Sequence, residues 1–329
     1  MTHVQHLTRR EFLKITAISA GALTALKIGT HTLRATLYTL TETRVLMGTI
    51  LRLKVITPDQ EAGKEAIERT FSQMTRLIRI FDYRDPLSPI SQLNRQGMLE
   101  KPPQELYWMV QKSLEFSKLT NGAFDITVKP LLDCYTTNRA ISPDVLKLVD
   151  YRQVRLETDC IRLMRPGMAL TLDGIAKGYV IDEGVEALHQ LDFDQVLVEA
   201  GGDLRAGKAA VNGHSWKIGI AHPRSDDAAL LASFNLNGKA VATSGDYINK
   251  FTPDRRLHHI LDPRTGISPL ELASVTIITS DAMSADALST ALMVLGPKAG
   301  LKLVSGLDEV EALLIGKDLQ IWRTPNFPI

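Results

Sequence analysis

Val45-Leu46-Met47-Gly48-Thr49-Ile50-Leu51-Arg52-Leu53-Lys54-Val55 is the stretch from which the fold is read, because a change of period follows it. Leu51, Leu53 and Val55 alternate with Arg52 and Lys54, the two-residue repeat of a strand with one apolar face. Over 59–80 the spacing changes: Ile67, Phe71, Met74 and Ile78 fall four, three and four residues apart. That spacing predicts an amphipathic helix whose stripe faces a core. A polar loop is expected over 81–97, then a second helix over 104–119 stopped by Asn121-Gly122. Short strands are expected at 195–199, 216–221, 239–242 and 274–279, with helices over 175–190 and 283–295. Helices interspersed irregularly among turn-bounded strands predict an α+β fold of mixed, largely antiparallel sheets packed with helices. No repeat, low-complexity segment or linker divides residues 36–329, which are read as one compact body.

The chain has 329 residues, 44% of them hydrophobic and 23% charged, with two cysteines. Such a composition excludes disordered, collagen-like and disulfide-stapled classes. A formal net charge of +1 gives no electrostatic footprint for nucleic acid, so no nucleic-acid partner is expected. Cys134 and Cys160 lack the spacing of a thiolate metal site.

The first 35 residues read differently. Thr8-Arg9-Arg10-Glu11-Phe12-Leu13-Lys14 precedes a mildly apolar run of about 14 residues, too short for a full span and suited to a targeting signal. The arginine pair and the following Phe-Leu-Lys resemble a twin-arginine export signal. A periplasmic location is expected, with retention at the inner membrane if the segment stays uncleaved. Setting residues 1–35 aside removes five basic residues and one acidic residue, leaving a slightly acidic body.

Familiar nucleotide motifs are missing: Gly201-Gly202-Asp203-Leu204-Arg205-Ala206-Gly207 lacks GxGxxG spacing, and no GxxxxGK[ST], GxSxG or HExxH occurs. What remains is a set of polar clusters. Asp286 and Thr290, four residues apart in an apolar helix, share a helix face and offer the oxygen ligands that suit Mg²⁺. Taken alone, the same pair could cap a turn and bond back to its own helix. Thr171-Leu172-Asp173-Gly174-Ile175-Ala176-Lys177-Gly178-Tyr179 reads as a strand feeding a helix. Its glycines allow close backbone approach, and a helix N-terminus favours an anion. In His258-His259-Ile260-Leu261-Asp262-Pro263-Arg264-Thr265-Gly266, a histidine stands three residues before the Asp of a turn, either as acid/base or as a structural group.

In order along the chain, Met47-Gly48-Thr49, Tyr83 with Ser88 to Asn94, Gly122-Ala123-Phe124-Asp125, Gly174 to Tyr179, Gly201-Gly202-Asp203, Thr243-Ser244-Gly245-Asp246, His259 to Gly266 and Asp286 to Thr290 resemble the ApbE-type FAD:protein FMN transferases, or flavin transferases. The resemblance implies an enzyme that takes FAD as substrate with Mg²⁺. It would transfer the FMN half to a threonine of an acceptor protein through a phosphoester bond and release AMP. Met47, Tyr83, Ala123, Phe124, Asp125, Asp173, Tyr179 and Ile260 would surround FAD. Asp286, Thr290 and the carbonyl of Ala176 would hold the metal, with Ser289 assisting and Lys177 close to the phosphates. His259 is the candidate base for the acceptor hydroxyl, and Asp262 is its orienting partner or a flavin contact. Many relatives carry Asp-Leu-Gly-Gly where this chain has Thr171-Leu172-Asp173-Gly174, which leaves open whether Asp173 meets flavin or metal. The implied acceptor is an FMN-binding protein, by analogy a membrane respiratory subunit of the Nqr/Rnf or nitrous-oxide-reductase type. Competing readings are a Mg²⁺-dependent FAD pyrophosphatase giving FMN and AMP, and an idle FAD-binding carrier.

Overall fold

The computed structural model describes residues 36–208, 215–225 and 229–329; the arginine-pair segment lies outside them. The alternating run is a hairpin, β1 (Tyr38–Leu46) and β2 (Thr49–Thr57), turned by Met47 (φ 53°) and Gly48 (φ 68°). A two-residue turn with both φ positive matches the twist of the strands it joins. The period change gives α1 (Gln60–Phe81), capped by Asp59 accepting from the Ala62 N–H at 3.0 Å.

The polar stretch 81–97 departs from expectation, because it contains a short helix, α2 (Pro89–Gln96). Ser88 caps it, Pro89 opens it and Gly97 closes it at φ 71°. Then come β3 (Met98–Glu100), α3 (Gln104–Leu119), α4 (Lys129–Thr136), α5 (Pro143–Leu146), β4 (Val154–Glu157) and β5 (Cys160–Leu163). The strand expected before residue 173 is absent. Residues 170–171 join no strand ladder: the Asn94 amide both donates to the Leu170 carbonyl and accepts its N–H, and the Thr171 N–H donates to the Ile126 carbonyl. The chain closes with α6 (Ala176–His189), β6 (Val196–Ala200), β7 (Asp203–Ala206), β8 (Trp216–Ala221), β9 (Leu230–Leu236), β10 (Ala240–Gly245), β11 (Leu272–Thr279), α7 (Ala282–Val304), β12 (Glu311–Gly316) and β13 (Ile321–Arg323).

Eight strands form one sheet in the order β1-β2-β6-β7-β10-β11-β12-β13, and each of its pairings is antiparallel. One face takes the helices. Leu51, Leu53 and Val55 of β2 meet Ile67, Phe71 and Met74 of α1, while Val196 and Val198 join Val180 and Val185 of α6. Val275 and Ile277 join Leu288 and Leu292 of α7. The β8–β9 hairpin covers part of the other face, setting Trp216, Ile218 and Phe234 against Leu197, Leu204, Val241 and Ile278. Cover on both faces leaves every residue of β6 and β11 buried, including Glu199, Ser274, Thr276 and Thr279. It also gives Arg52 and Lys54 their surroundings: Arg52 pairs with the buried Glu199 at 3.0 Å, and the Lys54 ammonium lies 5.8 Å from the Trp216 ring centre.

α7 is the one helix among the described residues long and apolar enough to cross a membrane, yet it is a core helix. Gly296 (φ 74°, ψ 178°) followed by Pro297 breaks it.

Candidate active site

The site is assembled where two helices start above one end of the large sheet. Gly201 (φ 59°) and Gly202 (φ 98°) make the tight turn from β6 to β7. This turn lies beside Thr49, so close that a Cβ on Gly201 would sit 2.6 Å from the Thr49 hydroxyl oxygen. Asp203, the first residue of β7, is thereby fixed beneath the start of α6. It is almost fully buried, accepts the Thr243 N–H at 2.9 Å and pairs directly with the Lys177 ammonium. The same ammonium lies 3.6 Å from Oδ1 of Asp286, also buried. Burial raises the Asp286 carboxyl above the usual carboxylate range, opposed by Lys177 and by the Gly178 N–H that donates to its Oδ2 at 3.1 Å.

Hydroxyls extend the cluster. Ser244 on β10 bonds Ser289 at 2.8 Å and lies 3.3 Å from the Thr290 hydroxyl, while Ser289 donates to the Asp286 carbonyl at 2.9 Å. Gly174 brings the loop before α6 against this group, since a Cβ there would stand 3.2 Å from Thr290 Oγ1 and 3.3 Å from the Phe124 ring. Thus Lys177, Asp286, Ser289, Thr290 and Phe124 converge, with Ala176 opening the helix at the same place.

A second group borders the first. Arg84 grips Asp173 through two nitrogens at 3.1 and 2.7 Å, and its guanidinium carbon lies 4.3 Å from the centre of the Tyr83 ring. Lys129 lies 4.6 Å from the same ring centre. Burial and the negative charge of Asp173 push the Tyr83 phenol well up. Asp173 precedes Gly174, which lies against Thr290, and this joins the two groups. His259 is half-buried. Its Nδ1 lies 3.3 Å from the Asn249 carbonyl, and burial, with His258 beside it, lowers its pKa to about 4.

The other candidates stand among neighbours of their own. Asp125 accepts from the Thr127 N–H at 2.8 Å, the Thr127 hydroxyl at 2.6 Å and the Tyr151 N–H at 2.9 Å. Asp262 accepts two side-chain bonds from Arg264, at 2.8 and 2.7 Å, within its own turn. Tyr179 stands against Phe81 and Trp108, with ring centres 5.8 and 5.1 Å away. Ala123 and Ile260 are buried in the core beneath α7, and Met47 occupies the β1–β2 turn. Asp203 and Ser244 lie within quoted motifs that assign them no role, and Arg84 follows the candidate Tyr83. Only the fold shows that the acid after the Gly-Gly turn meets Lys177.

A metal fits the donor set. Among the described residues no three His, Cys, Asp or Glu side chains gather as a protein cage. One buried carboxylate, whose Oδ1 faces the Lys177 ammonium at 3.6 Å, with hydroxyls three and four residues further along the same helix, matches a hard cation that completes its shell with water and phosphate oxygens.

The ApbE family model matches residues 47–314 of this chain. The chain belongs to the ApbE family. An ApbE-family relative from Klebsiella pneumoniae, named FAD:protein FMN transferase, is 31% identical over 84% of this chain and 89% of its own length. A relative of the same name from Escherichia coli is 28% identical over 85% of this chain and 86% of its own. Among solved structures, the ApbE protein of Thermotoga maritima superposes with a TM-score of 0.80 at 31% identity, covering 88% of this chain and 98% of that one. The apo flavinyl transferase ApbE of Pseudomonas stutzeri gives 0.75 at 28%, covering 88% and 94%. The antiparallel α+β body is therefore the ApbE fold.

Proposed function

We propose that this chain, an enzyme of the FAD:protein FMN transferase family, moves the FMN half of FAD onto a threonine hydroxyl of an acceptor protein in the presence of Mg²⁺. The carrying observation is the convergence of Lys177, Asp203, Asp286, Ser289 and Thr290 at the start of α6. A pure flavin carrier has little use for a cation site beside a lysine poised for phosphate. Asp286, Thr290 and the Ala176 carbonyl would hold Mg²⁺, with Ser289 assisting; the ion would neutralise charge building on the pyrophosphate oxygens. Lys177 would turn from its carboxylates toward the same oxygens. The threonine oxygen attacks the FMN phosphorus, the phosphorus–oxygen bond to AMP breaks, and AMP departs with the bridging oxygen. Tyr83, Phe124 and Asp173 form the side on which the isoalloxazine would rest.

His259 is assigned as the base. A carbonyl oxygen can only accept, so the contact with Asn249 keeps the proton on Nδ1 and leaves the Nε2 lone pair for the threonine proton. A pKa of about 4 keeps the imidazole neutral across the working range. The ratio of kcat/KM in wild type to that in His259→Ala should stay level from pH 8 to 5 and fall as pH drops through about 4, when the imidazole charges. His259→Ala should slow transfer by about 10²-fold or more between pH 5 and 8 while FAD affinity stays within a few-fold. An acidic limb near 6.5, or a large loss of FAD binding in the variant, would remove His259 from this role.

The partner proposed is an FMN-binding domain with an acceptor threonine, in a respiratory membrane protein of the Nqr/Rnf or nitrous-oxide-reductase type. The place proposed is the periplasm, reached through the Arg9-Arg10 signal. Incubation with FAD, Mg²⁺ and such a domain, followed by intact mass, tests the reading. A gain of one FMN phosphoryl group on the domain, abolished by chelator, supports it. AMP and free FMN without modification of any acceptor tried would point to a pyrophosphatase.

A further inference from the structure

α6 and α7 cap one another. The first N–H groups of a helix have no acceptor within it. In α7 those of Ala282 and Met283 donate to the two carboxylate oxygens of Asp182, on α6, at 2.8 and 2.9 Å. In α6 the Gly178 N–H donates to Asp286, on α7, at 3.1 Å. Residues 178 and 182 stand one turn apart on the same face of α6. Between these contacts the helix backbones touch, since a Cβ on Gly178 would lie 2.1 Å from the Ala282 carbonyl oxygen. Asp182 is buried and reaches neither the hydroxyl cluster nor the Tyr83 group; its other partner is Arg205, at 3.3 Å.

We infer that Asp182 is a positioning residue for the metal site: by holding both free N–H groups at the start of α7, it sets the register of α7 against α6. That register decides how Asp286 divides its oxygens. With α7 fixed, Oδ2 is spent on the Gly178 N–H and Oδ1 is left facing Lys177, where the cation would bind. Released from Asp182, the first turn of α7 could rotate or slide, and Asp286 would leave Gly178. The link to metal rests on the Mg²⁺ reading above; the mechanical link from Asp182 to Gly178 does not.

Full-chain protein would be compared with Asp182→Ala, Asp182→Asn and Asp281→Ala. Asp281 accepts the Ser284 N–H at 2.7 Å, so its removal loosens the same turn of α7 without touching α6. Amide exchange at Gly178, read by NMR, should speed up at least about tenfold in Asp182→Ala and change less than about twofold in Asp281→Ala, because opening of the Asp286 contact governs it. In the presence of FAD, the Mg²⁺ Kd read by calorimetry should rise about 10–100-fold in Asp182→Ala, the usual range for a residue that supports a ligand from behind. Asp182→Asn, which keeps one acceptor, should fall between. Unchanged exchange at Gly178 in Asp182→Ala, or equal acceleration in Asp281→Ala, overturns the inference. Should wild-type protein with FAD show no Mg²⁺ binding, the metal reading fails, while exchange at Gly178 still decides the clamp. If Asp182→Ala does not fold, the exchange comparison passes to Asp182→Asn.

Discussion

Gly178→Ala is expected to lower Tm by about 2–5 °C, from an overpacking cost of about 1–3 kcal/mol, and to reduce FMN transfer by at least about 10²-fold. The added methyl would stand 2.1 Å from the Ala282 oxygen, 2.5 Å from its carbonyl carbon and 2.7 Å from the Met283 Cα. All three are backbone atoms, so no side chain can rotate away and one helix must move. Movement of α7 carries Asp286, Ser289 and Thr290 with it. Gly184→Ala on the same helix is the control, because its new methyl would meet mainly the Met74 sulfur and methyl, at 2.9 and 3.1 Å, which can shift. Thermal melts and intact-mass assays of the two variants would check this. A Gly178→Ala protein with wild-type Tm and activity would mean that the helices do not touch there.

Asp286→Asn should leave Tm within a few degrees of wild type and cut transfer by about 10²–10³-fold, the loss expected when a charge aimed at the reacting phosphate region is removed. The amide oxygen can still accept the Gly178 N–H, whereas the negative charge that would attract a divalent cation is gone. Asp286→Ala should lose the same activity and, in addition, about 1–3 kcal/mol of stability, because the Gly178 N–H is left buried without an acceptor. The pair separates the two duties of one side chain. Initial rates of acceptor modification against Mg²⁺ concentration, alongside melts, provide the measurement. Near-normal transfer by the Asn variant would remove Asp286 from the metal site.

Much of the frame was legible where period and punctuation agreed. The second helix runs 104–119 as expected and ends at Asn121 and Gly122, both with positive φ. The helix expected over 283–295 stops at Gly296, though the ladder of α7 resumes beyond it. α2 was missed because eight mostly polar residues, of which Ile90, Ser91 and Leu93 are buried, carry too little periodicity. Its punctuation was nonetheless present in Ser88, Pro89 and Gly97. The expected strand before Asp173 failed for another reason: a side chain, Asn94, does there what a neighbouring strand would do.

The site was legible in part. Asp286 and Thr290 show themselves by helical spacing, and Lys177 by its glycines. The pairing of Lys177 with Asp203 crosses 26 residues and depends on a strand order that local patterns do not encode. The same holds for Arg84 and Asp173, which lie 89 residues apart.

The order of strands also sets a timetable for the chain. β2 finds its partner β6 only after some 140 further residues, as Leu51 pairs with Ala200, and β10 and α7 come later still. Such distant pairings fold slowly, since long loops must close before any contact rewards them. A growing chain on the ribosome would hold Tyr83 and Asp173 well before it held Asp286, so the two groups of the site come together only once α7 has been made.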